Sequence, residues 1–147
     1  MRSRAASGGI GPSAGPVFFV DRSIGRHVVA DALRAAGAAA EIHGDYFDQD
    51  TKDPLWITEV GRRGWFVLSK DGRIKSRTLE RNAVREAGVG LFVLVTADLK
   101  GDQMAGAFVA ALPRMARFSR KHERPFIAKV YRDSSVEMWE DFRPAER

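Results

Sequence analysis

Trp65-Phe66-Val67-Leu68-Ser69-Lys70-Asp71 is the stretch that decides how the chain is read. An apolar run halts at a serine, a lysine and an acid. Val17-Phe18-Phe19-Val20-Asp21 has the same shape earlier in the chain. Short runs that are apolar throughout fit strands buried on both faces, as in a parallel sheet. Each such strand then carries a carboxylate at its carboxyl end. In open parallel sheets, ligands bind beyond those ends, at the point where the strand order reverses. If the two strands are neighbours, Asp21 and Asp71 face each other across that crevice. Two close carboxylates repel, and a divalent cation relieves the repulsion.

Working outward, Ser23 is expected to cap a helix from Ile24 to about Ala36, ended by Gly37. Ile24, Val28, Ala32, Leu33 and Ala36 recur at helical spacing on its buried face. Ala38 to His43 reads as a weak second strand, and Gly44 to Lys52 as an acidic loop. Asp53-Pro54 opens a second helix, with the acid as N-cap and the proline at the first helical position. That helix runs to Gly61 or Gly64. The third strand is Trp65 to Ser69, and Asp71-Gly72-Arg73 turns away from it. Thr78 to Ala87 is a charged helix stopped by Gly88, and Val89 to Val95 is a fourth strand. A long helix spans Gly101 to about His122, with Pro113 predicted to kink or break it. Phe126 to Tyr131 and Val136 to Trp139 read as an antiparallel β-hairpin. Strands alternating with helices mean an α/β layered fold with a mainly parallel sheet, in the order 2-1-3-4. Residues 1–16 read as a flexible N-terminal tail, 17–141 as the domain and 142–147 as a C-terminal tail.

The 147 residues suffice for one domain with a real core. There is no cysteine, which excludes disulfides, thiolate metal sites and cysteine nucleophiles, and fits a reducing compartment. No apolar run approaches a bilayer span, and the amino terminus lacks the apolar centre of a signal peptide. A cytoplasmic protein with no membrane partner is expected. Net charge is +5, yet Glu41 to Asp53 holds five acids and one base, so the rest of the chain carries +9. An acidic spot in a basic body suits a cation site that meets a polyanion such as a nucleic acid, although a solvated loop among ordinary surface charges has the same pattern.

Asp21, Asp53 and Asp71 are the candidate catalytic and metal-binding acids, and Asp50 a further candidate ligand. Asp45 and Asp48 are spare acids in the same loop. Oxygen ligands without soft ones favour Mg²⁺ or Mn²⁺ over zinc. His27, His43 and His122 have no metal-ligand spacing, and only His43 lies where it reaches the cleft. Among the bases around the cleft (Arg22, Arg26, Lys70, Arg73, Lys75, Arg77 and Arg81), Arg22, Lys70 and Arg73 are the candidate phosphate contacts. A second basic run, Arg114 to Arg124, ends the long helix, where cations also complement the helix dipole. No P-loop, Rossmann glycine fingerprint or nucleophile elbow is present. Phosphotransfer through an aspartate nucleophile wants a second acid two residues on, which Asp21-Arg22-Ser23 lacks.

Phe18-Phe19-Val20-Asp21-Arg22-Ser23-Ile24-Gly25-Arg26, Lys52-Asp53-Pro54-Leu55-Trp56 and Gly64 to Ile74 together resemble a PIN-like domain. They are most similar to the branch that includes VapC-type toxins of bacterial toxin–antitoxin pairs. The resemblance runs from about Val17 to Trp139. It implies a three-layer α/β sandwich and a Mg²⁺- or Mn²⁺-dependent endoribonuclease. It also implies an antitoxin protein that blocks the cleft, and a homodimer or toxin–antitoxin hetero-oligomer. By motif, Asp21 and Asp71 match family ligands. Asp53 matches the acid opening the second helix, although Pro54 and Leu55 stand where further acids are usual. Ser69 stands where threonine is common and keeps the hydroxyl. A non-catalytic RNA- or protein-binding module on the same fold is the alternative.

Overall fold

The computed structural model describes residues 15–25, 27–95 and 99–142. Arg26, and the tail positions 1–14 and 143–147, lie outside the described residues. Six strands form one sheet: β1 (Val17–Val20), β2 (Ala39–Ile42), β3 (Phe66–Ser69), β4 (Gly90–Leu94), β5 (Phe126–Val130) and β6 (Val136–Asp141). The sheet order is β2-β1-β3-β4-β5-β6. All neighbours are parallel except β5 and β6. The expected order is therefore observed, and the hairpin extends the main sheet through β5. The order reverses at β1, which has β2 on one side and β3 on the other.

Side-chain alternation along each strand sorts the core into two layers. Phe18, Val20, Phe66, Leu68, Phe92 and Leu94 pack on one face against α1 (Val28–Ala35) and α4 (Gly101–Lys121). Phe19, Val67, Leu91, Val93 and Ile127 pack on the other against α2 (Asp53–Arg62) and α3 (Thr78–Ala87). Because both faces are covered, the central strands read as unbroken apolar runs. The α3 and α4 connections step the same way across the sheet on opposite faces, so they have opposite hands. Only one of them follows the usual right-handed rule. Placing α4 beside α1 covers a face that α1, eight residues long, would leave largely bare.

Four local expectations are corrected. The first helix does not start at Ile24: Arg22–Ile24 is a separate 3₁₀ turn, and α1 begins at Val28. Gly25, at φ +108°, ends that turn in a conformation no helix continues. The cap is the Asp21 carboxylate, which accepts from the Ser23 N–H, rather than the Ser23 hydroxyl. Asp53 is the first residue of α2 and not its N-cap; Lys52 holds that place without a side-chain bond. Finally, α4 runs unbroken through Pro113. One backbone bond is lost there, but Met104, Phe108, Ala111, Met115 and Phe118 bury one continuous stripe on both sides of it.

Candidate active site

The carboxyl ends of β1 and β3 are tied together by their own polar groups. The Asp21 N–H donates to the Leu68 carbonyl at 3.0 Å, extending the ladder one residue past β1. The Ser23 and Ser69 hydroxyls lie 3.3 Å apart. Ser23 Oγ accepts from the Lys70 N–H at 3.2 Å, and Ser69 Oγ accepts from the Asp71 N–H at 3.0 Å. Asp21 and Asp71 thus leave neighbouring strands at one edge of the sheet. The two serines stitch that edge, a role sequence reading had not assigned them. A hydroxyl at the end of each apolar run was the only available signal.

Asp21 is 3% exposed, and burial raises its pKa from the ordinary carboxylate value. Bonds from Ser69 and Ser23 oppose that rise, and the nearby Asp53 charge adds to it. Asp21 and Asp53 are therefore close enough to repel. Oδ1 of Asp53 accepts from Arg22 at 2.8 Å and from the Trp56 indole N–H at 2.8 Å. Its other oxygen has no protein partner among the described residues.

Arg22 also donates to the carbonyls of Gln49 at 2.9 Å and Thr51 at 2.8 Å. One guanidinium fork thereby draws the acidic loop down onto the strand tips. Asp50 sits exposed between those two anchored residues. Below the clamp, His43 lies 1% exposed with Nε2 3.4 Å from Arg22. Its Nδ1 is buried without a partner. Burial and then the Arg22 charge lower its pKa, with Asp53 pulling the other way. A neutral ring fits this place, packed among Phe19, Phe47 and Trp56.

Asp71 shares the edge, but its carboxylate turns aside. Oδ1 accepts from the Arg73 backbone N–H at 3.1 Å and from Arg73 Nε at 3.0 Å, and Oδ2 lies 3.5 Å from Arg77. Burial would raise its pKa, but the Arg73 bonds and the two arginine charges outweigh that and lower it. Lys70 is exposed. Lys75 and Arg81 reach away from the edge to Glu140 on β6.

A cation held here would be a hard one. Mg²⁺ takes one or two carboxylates and keeps several waters. Asp21 and Asp53 are such a pair, and the open oxygen of Asp53 fits a ligand role. Among the described residues, no group of three or more His, Cys, Asp or Glu is gathered for a metal ion. Asp71 would join only by letting go of Arg73 and Arg77. The arrangement suits a hydrated hard cation against a phosphodiester. No described helix is long and apolar enough to cross a membrane.

Comparison with known proteins assigns the family. Residues 16–96 match the family model described as "PIN like domain". Over 118 residues the chain is 35% identical to "Putative ribonuclease VapC45" of Mycobacterium tuberculosis, covering 78% of this chain and 85% of the relative. No solved structure matches. The matched segment contains β1, β3, Asp21, Asp53 and Asp71, and the chain belongs to the PIN-like domain family.

Proposed function

We propose that the protein is a Mg²⁺- or Mn²⁺-dependent endoribonuclease, the toxin of a type II toxin–antitoxin pair. The observation that carries this reading is buried Asp21 at the switch point of the sheet, with Asp53 held at the same edge by its bond to Arg22, the residue after Asp21. Carboxylates gathered at one sheet edge favour a cation between them. Similarity to a relative named as a ribonuclease supports RNA as the substrate, and the antitoxin is the partner that goes with a toxin.

When bound, the metal supplies an activated water and offsets charge growing on the phosphodiester. The protein's own groups do the rest. Asp21, fixed by Ser23 and Ser69, and Asp53, aimed by Arg22 and Trp56, would hold the ion, with Asp50 a further ligand. Asp71 would join them if Arg73 and Arg77 released it to contact the substrate phosphates. Lys70, Arg73 and Arg22 are the phosphate contacts, Arg22 only where it can release the loop.

Single-stranded RNA incubated with the protein tests this directly. Cleavage is expected with Mg²⁺ or Mn²⁺, none with chelator, and none from folded Asp21→Asn. Full activity of a folded Asp21→Asn protein contradicts it.

One observation favours a second reading. Asp71 is satisfied by two arginines, so among the described residues no three-acid site stands ready. On that reading the protein is a non-catalytic module that binds RNA or protein through its basic surface. It predicts RNA binding that survives chelation and no cleavage at any metal concentration.

A further inference from the structure

Two sets of cations on the molecule contrast. Those near the acidic edge are mostly neutralised internally: Arg22 by Asp53, Arg73 by Asp71, Arg77 by Asp71 and Glu80, Lys75 and Arg81 by Glu140. Those on the last turns of α4 are not. Arg117 and Lys121 are exposed and have no ion pair or hydrogen bond among the described residues. Arg114 is exposed too; it donates to the Ser134 hydroxyl at 2.6 Å and feels the charge of Asp133 in the same hairpin turn, without an ion pair among the described residues. Positions 114, 117 and 121 are three and four residues apart, so they share one helix face.

That face borders a cavity of about 350 Å³ between α4 and the edge strand β6. Arg114, Arg117 and Lys121 form its charged wall, and Phe118, Val136 and Met138 its apolar floor. No acid lines it. Val136 pairs with Val130, the last residue of β5, so one end of the groove opens at the carboxyl edge that carries Asp21. β5 is three strand spacings from β1, or about 14 Å.

We infer that this groove is an accessory binding site for single-stranded RNA, with phosphates on Arg114, Arg117 and Lys121 and a base on the apolar floor. An open cationic wall suits the backbone, and an apolar surface suits an unstacked base. The volume falls at the small end of ligand sites. The inference rests on the reading of the protein as acting on RNA. It adds that the strand is gripped on the α4 side, away from the acids.

The test is the anisotropy of a labelled 12-nucleotide single-stranded RNA in chelator, where no metal-dependent cleavage intervenes. The double variant Arg117→Gln/Lys121→Gln is used because it spares the Arg114 bond to the hairpin turn. Affinity should fall about tenfold, and the log–log salt slope by about 1.4, the value for two phosphate contacts on a single strand. An abasic strand of equal length should bind more weakly than RNA. Unchanged affinity and slope in the double variant overturn the proposal, and so does equal binding of the abasic strand. Tighter binding of polyglutamate of matching charge than of the RNA, lost in the double variant, would assign the face to an acidic protein segment and overturn it also. Failure of the nuclease reading shows elsewhere, in cleavage that survives Asp21→Asn, so the two are separable.

Discussion

Asp21 occupies a place unfavourable to an ionised carboxylate, and its stability effect follows from that. Its pKa is raised in the folded state, chiefly by burial. Its favourable contribution is therefore present below the unfolded value near 3.9 and is lost as pH rises through the folded value. In chelator, Asp21→Asn should then be more stable than the wild type at pH 7, with the gap closing towards pH 4. Thermal unfolding across that range measures it, and a variant less stable at every pH contradicts it. Asp71 carries the opposite sign. Its lowered pKa gives stability that is present above the unfolded value and lost as pH falls through the folded one. At this scale the identity of the acids was legible in the sequence, because an acid after a buried strand is a local pattern. The direction of Asp71 was not, since it depends on Arg73 and Arg77 turning back across a 3₁₀ turn (Gly72–Lys75). Nor was the clamp of Arg22, which reaches residues 27 to 31 positions further on.

At the scale of elements, local signals succeeded where local chemistry decides. Thr78–Ala87 ends as expected at Gly88, whose φ of +71° is the left-handed cap that glycine supplies. The start of α1 departs from the local signal: Ser23 has the chemistry of a cap, but Gly25 reverses the backbone before a helix can form. The break expected at Pro113 is overridden by the apolar stripe of α4, a tertiary effect that no dipeptide reports. One contact between elements was invisible in the sequence. A Cβ on Gly61 of α2 would stand 2.5 Å from the Ala87 carbonyl oxygen and 2.6 Å from its Cβ. Gly61 therefore lets α2 lie against the end of α3. Gly61→Ala should destabilise the protein by about 1–3 kcal/mol through overpacking. Urea unfolding checks the figure, and an unchanged midpoint would mean that the helices separate without strain.

For the whole molecule, the α/β layering, the mainly parallel sheet and the switch point between β1 and β3 were legible together. Runs such as Val17–Val20 and Phe66–Ser69 are apolar at every position or nearly so, and only a sheet covered on both faces buries them. The same topology brings acids from positions 21, 53 and 71 to one edge, with two of the three close enough to repel before any ion is present. The account as a whole depends on that edge holding a metal. Calorimetric titration of the purified protein with Mn²⁺ tests it most directly. One ion per chain is expected, with binding lost in folded Asp21→Asn and Asp53→Asn variants. Wild-type binding that persists undiminished in both variants would contradict the account.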